Sequence, residues 1–147
     1  MMDTENHICS GGCLCGAVTY SVDGKMRPVV ACHCRMCQKS SGFHVAATSV
    51  LDADLTVVDP DGKLSWFASS DFAKRGFCSR CGGNLFYKRI DTDCTSIFAG
   101  TIDQPSGLTM AAQIFTEEAG DYYTPDPNVP SLSLEEFHEM RRTVWEK

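Results

Sequence analysis

Three features of the chain predict a mainly β fold of antiparallel strands: short runs of alternating apolar and polar residues at hairpin spacing, turn signals between those runs, and a single stretch of helical period at the C-terminus. At 147 residues the chain fits one domain, read as 1–147, large enough to bury its own core. A composition of 43% hydrophobic and 22% charged residues is globular and excludes long disordered tracts. The net charge of −6 argues against a nucleic-acid surface, which needs a basic patch.

The elements follow in order. Ala17 to Val22 alternates so that Val18, Tyr20 and Val22 share one strand face, and Asp23-Gly24 is expected to turn the chain. Val29-Val30-Ala31 is a short buried strand that delivers Cys32 into a loop running to Gly42. Phe43 to Val50 is again β-rich, with Phe43, Val45 and Ala47 on one side and His44, Ala46 and Thr48 on the other. Leu55 to Val58 and Leu64 to Ala68 flank Asp59-Pro60-Asp61-Gly62, where proline presets the second turn position and glycine takes the fourth. A strand from Phe72 runs into a turn at Cys78-Ser79-Arg80-Cys81-Gly82-Gly83. Asn84 to Ile90, Cys94 to Ala99 and Leu108 to Phe115 are three more strands. Tyr122 to Pro130 is extended and proline-rich, unsuited to a central strand. Ser133-Leu134-Glu135-Glu136 is a capping box, and Leu134, Phe137, Met140 and Val144 then recur at helical spacing, which predicts one amphipathic packing helix from Ser133 to about Lys147.

Nine cysteines are the most informative part of the composition. Met1 to His7 has neither the basic start nor the apolar run of a secretory signal, and no stretch of about 18 apolar residues could span a membrane. The expectation is a cytoplasmic protein, where clustered cysteines serve as metal ligands or reactive thiols more often than as disulfides. Cys13 with Cys15 and Cys78 with Cys81 each supply half of a tetrahedron, and together they make a closed, structural four-thiolate zinc site. Cys32, Cys34 and Cys37 are too close in sequence for relaxed pairwise disulfides, and they form a second candidate zinc site that lacks a fourth partner by spacing. Three protein ligands and an open position is the catalytic pattern. Cys9 or Cys94 would instead close the site, although each also reads as a small buried apolar residue. His33, which strand-like alternation points away from the metal, is expected as a supporting or solvent-facing residue. His7, His44 and His138 have no ligand spacing. Arg35 and Lys39 either offset the thiolate charge or are solvated surface groups.

The motifs Gly12-Cys13-Leu14-Cys15-Gly16, Cys32-His33-Cys34-Arg35-Met36-Cys37-Gln38-Lys39-Ser40-Ser41-Gly42, Phe77-Cys78-Ser79-Arg80-Cys81-Gly82 and Gly100-Thr101-Ile102-Asp103 occur in an order that resembles the glutathione-dependent formaldehyde-activating enzyme family, also called the centromere-protein-V-like domain. The resemblance covers a core from about residue 10 to 130, with the helical tail following at about 133–147. It implies a β-tent-like fold of several small antiparallel sheets around zinc with a short C-terminal helix. It also implies a structural zinc at Cys13, Cys15, Cys78 and Cys81, and a second zinc at Cys32, Cys34 and Cys37 as the active site. One departure stands out: family members tend to carry a tryptophan-tyrosine pair after the last strand, where this chain has Tyr122-Tyr123.

The activity so implied is a zinc-dependent carbon–sulfur lyase reaction. Glutathione, as co-substrate, is joined to formaldehyde to give S-hydroxymethylglutathione, or the adduct is cleaved. The expected cofactors are two Zn²⁺ and the expected partners a small thiol and an aldehyde, with no nucleic acid and no membrane. The alternatives are a non-catalytic zinc domain that binds glutathione or another small thiol, and one whose surface serves a protein partner.

Overall fold

In the computed structural model, residues 6–145 are described, and they divide into two compact units: residues 27–47 with 108–145, and residues 6–26 with 48–107. In chain order the strands are β1 (Asn6–Gly12), β2 (Thr19–Lys25), β3 (Val29–Cys32), β4 (Val45–Leu51), β5 (Leu55–Val58), β6 (Leu64–Ala68), β7 (Ala73–Cys78), β8 (Asn84–Arg89), β9 (Cys94–Phe98), β10 (Met110–Ile114) and β11 (Ser131–Leu132). Two α-helices join them, α1 (Arg35–Ser41) and α2 (Leu134–Trp145). Mainly β architecture with a short C-terminal helix is therefore what the chain forms. No helix among the described residues is long and apolar enough to cross a membrane.

In the second unit, β1, β2 and β5 make an antiparallel three-stranded sheet, and the last residues of β4 begin the order β4-β9-β8-β7-β6. The alternation read from the sequence is visible along β2, where Tyr20 and Val22 are buried while Thr19, Ser21 and Asp23 face out. Tyr20 packs edge-on against Phe86 at 5.5 Å between centroids, and its hydroxyl meets that of Thr101 at 2.7 Å. Leu85, Ile97 and Val50 complete a fully buried apolar set.

Two expectations change here. Residues 6–12, assigned to no strand from the sequence, form β1, which pairs with β2 along its whole length. Asp23 and Gly24 do not turn the chain but continue β2 opposite Ile8 and His7. Gly24 is needed for close approach: a Cβ there would collide with the Asp54 carboxylate.

In the first unit β3 is central, antiparallel to β4 on one side and parallel to β10 on the other, and β11 adds to β10 in parallel. Parallel neighbours escape a hairpin argument, because β3 and β10 are far apart in sequence. Val30, Ala112 and Ile114 project from this sheet onto Met140 of α2, with Cys32, Leu132 and Phe137 packed around them. Burying Met140 and Val144 contributes about 1.5–3 kcal/mol each. Leu134, placed on the same stripe by periodicity, is exposed. The capping box forms in both directions: Glu136 N–H donates to Ser133 Oγ at 3.1 Å, and Ser133 N–H donates to the Glu136 carboxylate at 2.9 Å. The end of the helix predicted near Lys147 lies outside the described residues.

Candidate functional site

Cys13 and Cys15 sit on a tight turn after β1, and Cys78 and Cys81 on the turn that ends β7. Each turn has a glycine in the left-handed region directly after its second cysteine, Gly16 at φ 80° and Gly82 at φ 78°, a conformation that side chains with a Cβ resist. Gly82 N–H closes one turn onto Cys78 C=O at 2.7 Å, and Val18 N–H points at Cys13 Sγ at 3.4 Å. The structure brings all four sulfurs within 4.8 Å of one another, with Cys13–Cys15 at 3.7 Å and Cys15–Cys78 at 3.8 Å. Zinc–sulfur bonds of about 2.3 Å give a tetrahedron with edges of about 3.8 Å, so these separations suit a shared zinc. They are far longer than the roughly 2.05 Å of a disulfide, and none of the nine cysteines is disulfide-bonded. Backbone amides of Cys15 and then Gly83 hold the Cys81 thiol down to about 6, so this sulfur is ready to serve as a thiolate ligand.

The second group is built differently. Cys32 ends β3, and the stretch to Gly42, read as a loop, contains α1. Cys34 is the N-cap of that helix, with extended backbone at φ −65° and ψ 157°, and its sulfur accepts the Cys37 N–H at 3.3 Å. A thiol takes the place that serine, threonine or aspartate usually fills, which leaves the cap donor aimed at a sulfur. Strand end, cap and first helical turn thus gather Cys32, Cys34 and Cys37 within 4.8 Å, and among the described residues the group has three members. Crowding by the Cys34 and Cys37 sulfurs, followed by burial, pushes the Cys32 thiol well above its ordinary value. Three neighbouring thiolates require a cation between them, so this donor set also suits zinc. Cys9 Sγ donates to Met26 Sδ at 3.7 Å, and Cys94 Sγ lies 3.7 Å from the Asp93 carboxylate.

Two buried glutamines around this group, Gln113 and Gln38, were given no role by the sequence, and His33 takes the supporting role expected of it. His33 is only 1% exposed, which removes the solvent-facing alternative, and it bonds Gln113 Oε1 through Nε2 at 2.8 Å and the Tyr123 hydroxyl through Nδ1 at 2.7 Å. Gln113 spends both amide hydrogens on the carbonyls of Asp126 and Val129 at 2.8 and 3.1 Å, so its oxygen must accept. In the neutral imidazole, Nε2 therefore carries the proton and Nδ1 accepts from Tyr123. Gln38 is likewise buried, and its amide donates to His33 C=O at 2.7 Å and Glu118 C=O at 2.9 Å, which pins the segment after β10 to α1. Buried glutamines read as surface residues in a sequence; only their contacts mark them. His44, treated as ordinary, packs in a ring cluster with His33, Phe43 and Tyr123, and burial and then His33 lower its pKa. Phe43 and Tyr122 present the exposed edge of that cluster.

Residues 8–118 match a family described as glutathione-dependent formaldehyde-activating enzyme. An uncharacterized lyase of Schizosaccharomyces pombe is 26% identical over 114 residues, which span 77% of this chain and 82% of the relative. Among solved structures, a Rhodobacter sphaeroides protein is similar in fold with a TM-score of 0.55 at 19% identity, covering 84% of this chain and 99% of that one.

Proposed function

The chain belongs to the glutathione-dependent formaldehyde-activating enzyme family, and from that premise we propose that it is a zinc-dependent carbon–sulfur lyase that interconverts glutathione plus formaldehyde with S-hydroxymethylglutathione. The observation that carries the reading is the three-sulfur group of Cys32, Cys34 and Cys37, one ligand short of a tetrahedron among the described residues. The relative named as a lyase supports the reaction class.

The reaction is an addition without redox change. The thiol sulfur forms a bond to the aldehyde carbon, the C=O π pair moves to oxygen, and the thiol proton ends on that oxygen. A free thiol with pKa near 8.5 is mostly protonated at neutral pH. Zinc held by the three cysteines would supply the position at which an incoming thiol is kept as thiolate. Three thiolate ligands donate enough charge to make such a centre a poor activator of water, which favours thiol chemistry over hydrolysis. The chain's own groups set the geometry. Cys37 N–H stabilises negative charge on Cys34 Sγ, the Gln113–His33–Tyr123 chain fixes the backbone between two of the three cysteines, and Gln38 locks α1 beneath them. Cys13, Cys15, Cys78 and Cys81 form the structural zinc site in this reading, and the protein works as a cytoplasmic enzyme on small molecules.

The test is exchange spectroscopy on glutathione mixed with ¹³C-formaldehyde. The protein is expected to accelerate interconversion above the spontaneous rate, and Cys32→Ser is expected to abolish the acceleration. Glutathione binding with no acceleration would leave a binding module and sink the enzymatic reading.

A further inference from the structure

We infer that Arg35 is a specificity-determining residue, and that the thiol it selects carries a carboxylate. The inference rests on the reading of Cys32, Cys34 and Cys37 as a thiol-handling centre for glutathione, and it adds the residue that recognises the thiol's carboxylate.

Gln38, one turn after Arg35 on α1, is buried at 5% exposure. Both hydrogens of its amide are committed to the carbonyls of His33 and Glu118, so the orientation of the group is fixed and its oxygen must face the other way. That oxygen accepts from Arg35 Nη1 at 2.7 Å. An exposed arginine is thus held in place by a buried neutral acceptor and not by a carboxylate. Its position is fixed while the guanidinium itself forms no ion pair among the described residues. The nearby Glu118 carboxylate accepts the backbone N–H of Arg35 at 3.2 Å, and among the described residues the guanidinium has no other hydrogen-bond partner. Of the five donors in a guanidinium fork, most remain to meet an anion, in a geometry that matches a carboxylate bidentately.

Placement and field agree with this role. Arg35 directly follows Cys34 and lies one turn before Gln38, in a helix that carries Arg35 and Lys39 and no acidic residue. The chain as a whole has a charge of −6, so this short helix departs in sign from the balance of the chain. A thiolate joining three others would raise the local negative charge, and a fixed guanidinium beside the loop offsets it while pairing with a carboxylate elsewhere on the ligand. Glutathione has two carboxylates to offer; an uncharged thiol has none.

The experiment compares glutathione with its diethyl ester, which keeps the thiol and the ammonium but lacks both carboxylates. Binding is measured by titration calorimetry on the zinc-loaded protein, with formaldehyde exchange measured in parallel. Wild type is expected to bind glutathione about tenfold more tightly than the ester, the size expected of a hydrogen-bonded charged contact, and to lose preference as salt rises. Arg35→Gln is expected to bring the ratio close to one by weakening glutathione alone, with ester binding and zinc content unchanged. Arg35→Lys should retain part of the preference, since it keeps the charge but not the fork. A wild-type ratio near one, or an Arg35→Gln variant that weakens both ligands equally, overturns the inference. Preferential binding without accelerated exchange leaves the inference standing and removes the enzymatic reading. Accelerated exchange without preference does the reverse.

Discussion

Replacing Gln38 by leucine tests how α1 is held against the segment that follows β10. The side chains are similar in volume, so no cavity term is expected, and the cost is that of the polar groups left behind. The His33 carbonyl loses its donor in a buried site, which costs about 1–3 kcal/mol. The Glu118 carbonyl and Arg35 Nη1 are part-buried and can turn to water, at about 0.5 kcal/mol each. Gln38→Leu should therefore destabilise the zinc-loaded protein by about 2–4 kcal/mol. Urea denaturation followed by far-UV circular dichroism reads this as a lower midpoint at unchanged slope. A change below about 0.5 kcal/mol would mean that the Gln38 amide neither holds the segment nor positions Arg35.

Further outcomes follow from the same contacts. Cys78→Ser removes a fully buried sulfur of the four-sulfur group proposed to hold zinc, and the variant is expected to bind one zinc fewer and to lose most of the cooperative thermal transition. An unchanged melting curve would show that the group is not structural. Gly24→Ala drives a Cβ into the Asp54 carboxylate and should cost about 1–3 kcal/mol in denaturant unfolding; a neutral result would mean that β2 shifts freely at its end. The Ser133 amide and then its hydroxyl hold the Glu136 carboxyl below its ordinary 4.5, so the contribution of the capping box is present above that value and is lost as pH falls through the lower folded value. Helicity compared between wild type and Glu136→Gln should differ at neutral pH and converge in acid, whereas a difference that grows in acid has the wrong sign.

The cysteine pattern made the candidate centres legible because metal ligation imposes short, local spacings: a strand end, a cap and a helical turn bring Cys32, Cys34 and Cys37 together with almost no help from the rest of the chain. The capping box before Leu134 was legible for the same reason. What stayed hidden depends on residues far apart in sequence. The parallel β3–β10 pairing brings Gln113 to His33 across 80 positions, and nothing local in either residue announces it. Gly24 misled because glycine serves close approach as well as turns, and the partner that explains it, Asp54, lies 30 residues on. Helix α1 escaped because its first turn is spent on sulfur, where no ordinary capping residue marks a start.

The central claim is that Cys32, Cys34 and Cys37 form a zinc site of their own, separate from the structural one. Zinc quantification on purified Cys32→Ser, with folding checked by circular dichroism, addresses it most directly. The account predicts that wild type carries two zinc ions per chain and that the variant carries one and remains folded. A wild type holding a single zinc, or a folded Cys32→Ser that still holds two, would contradict it.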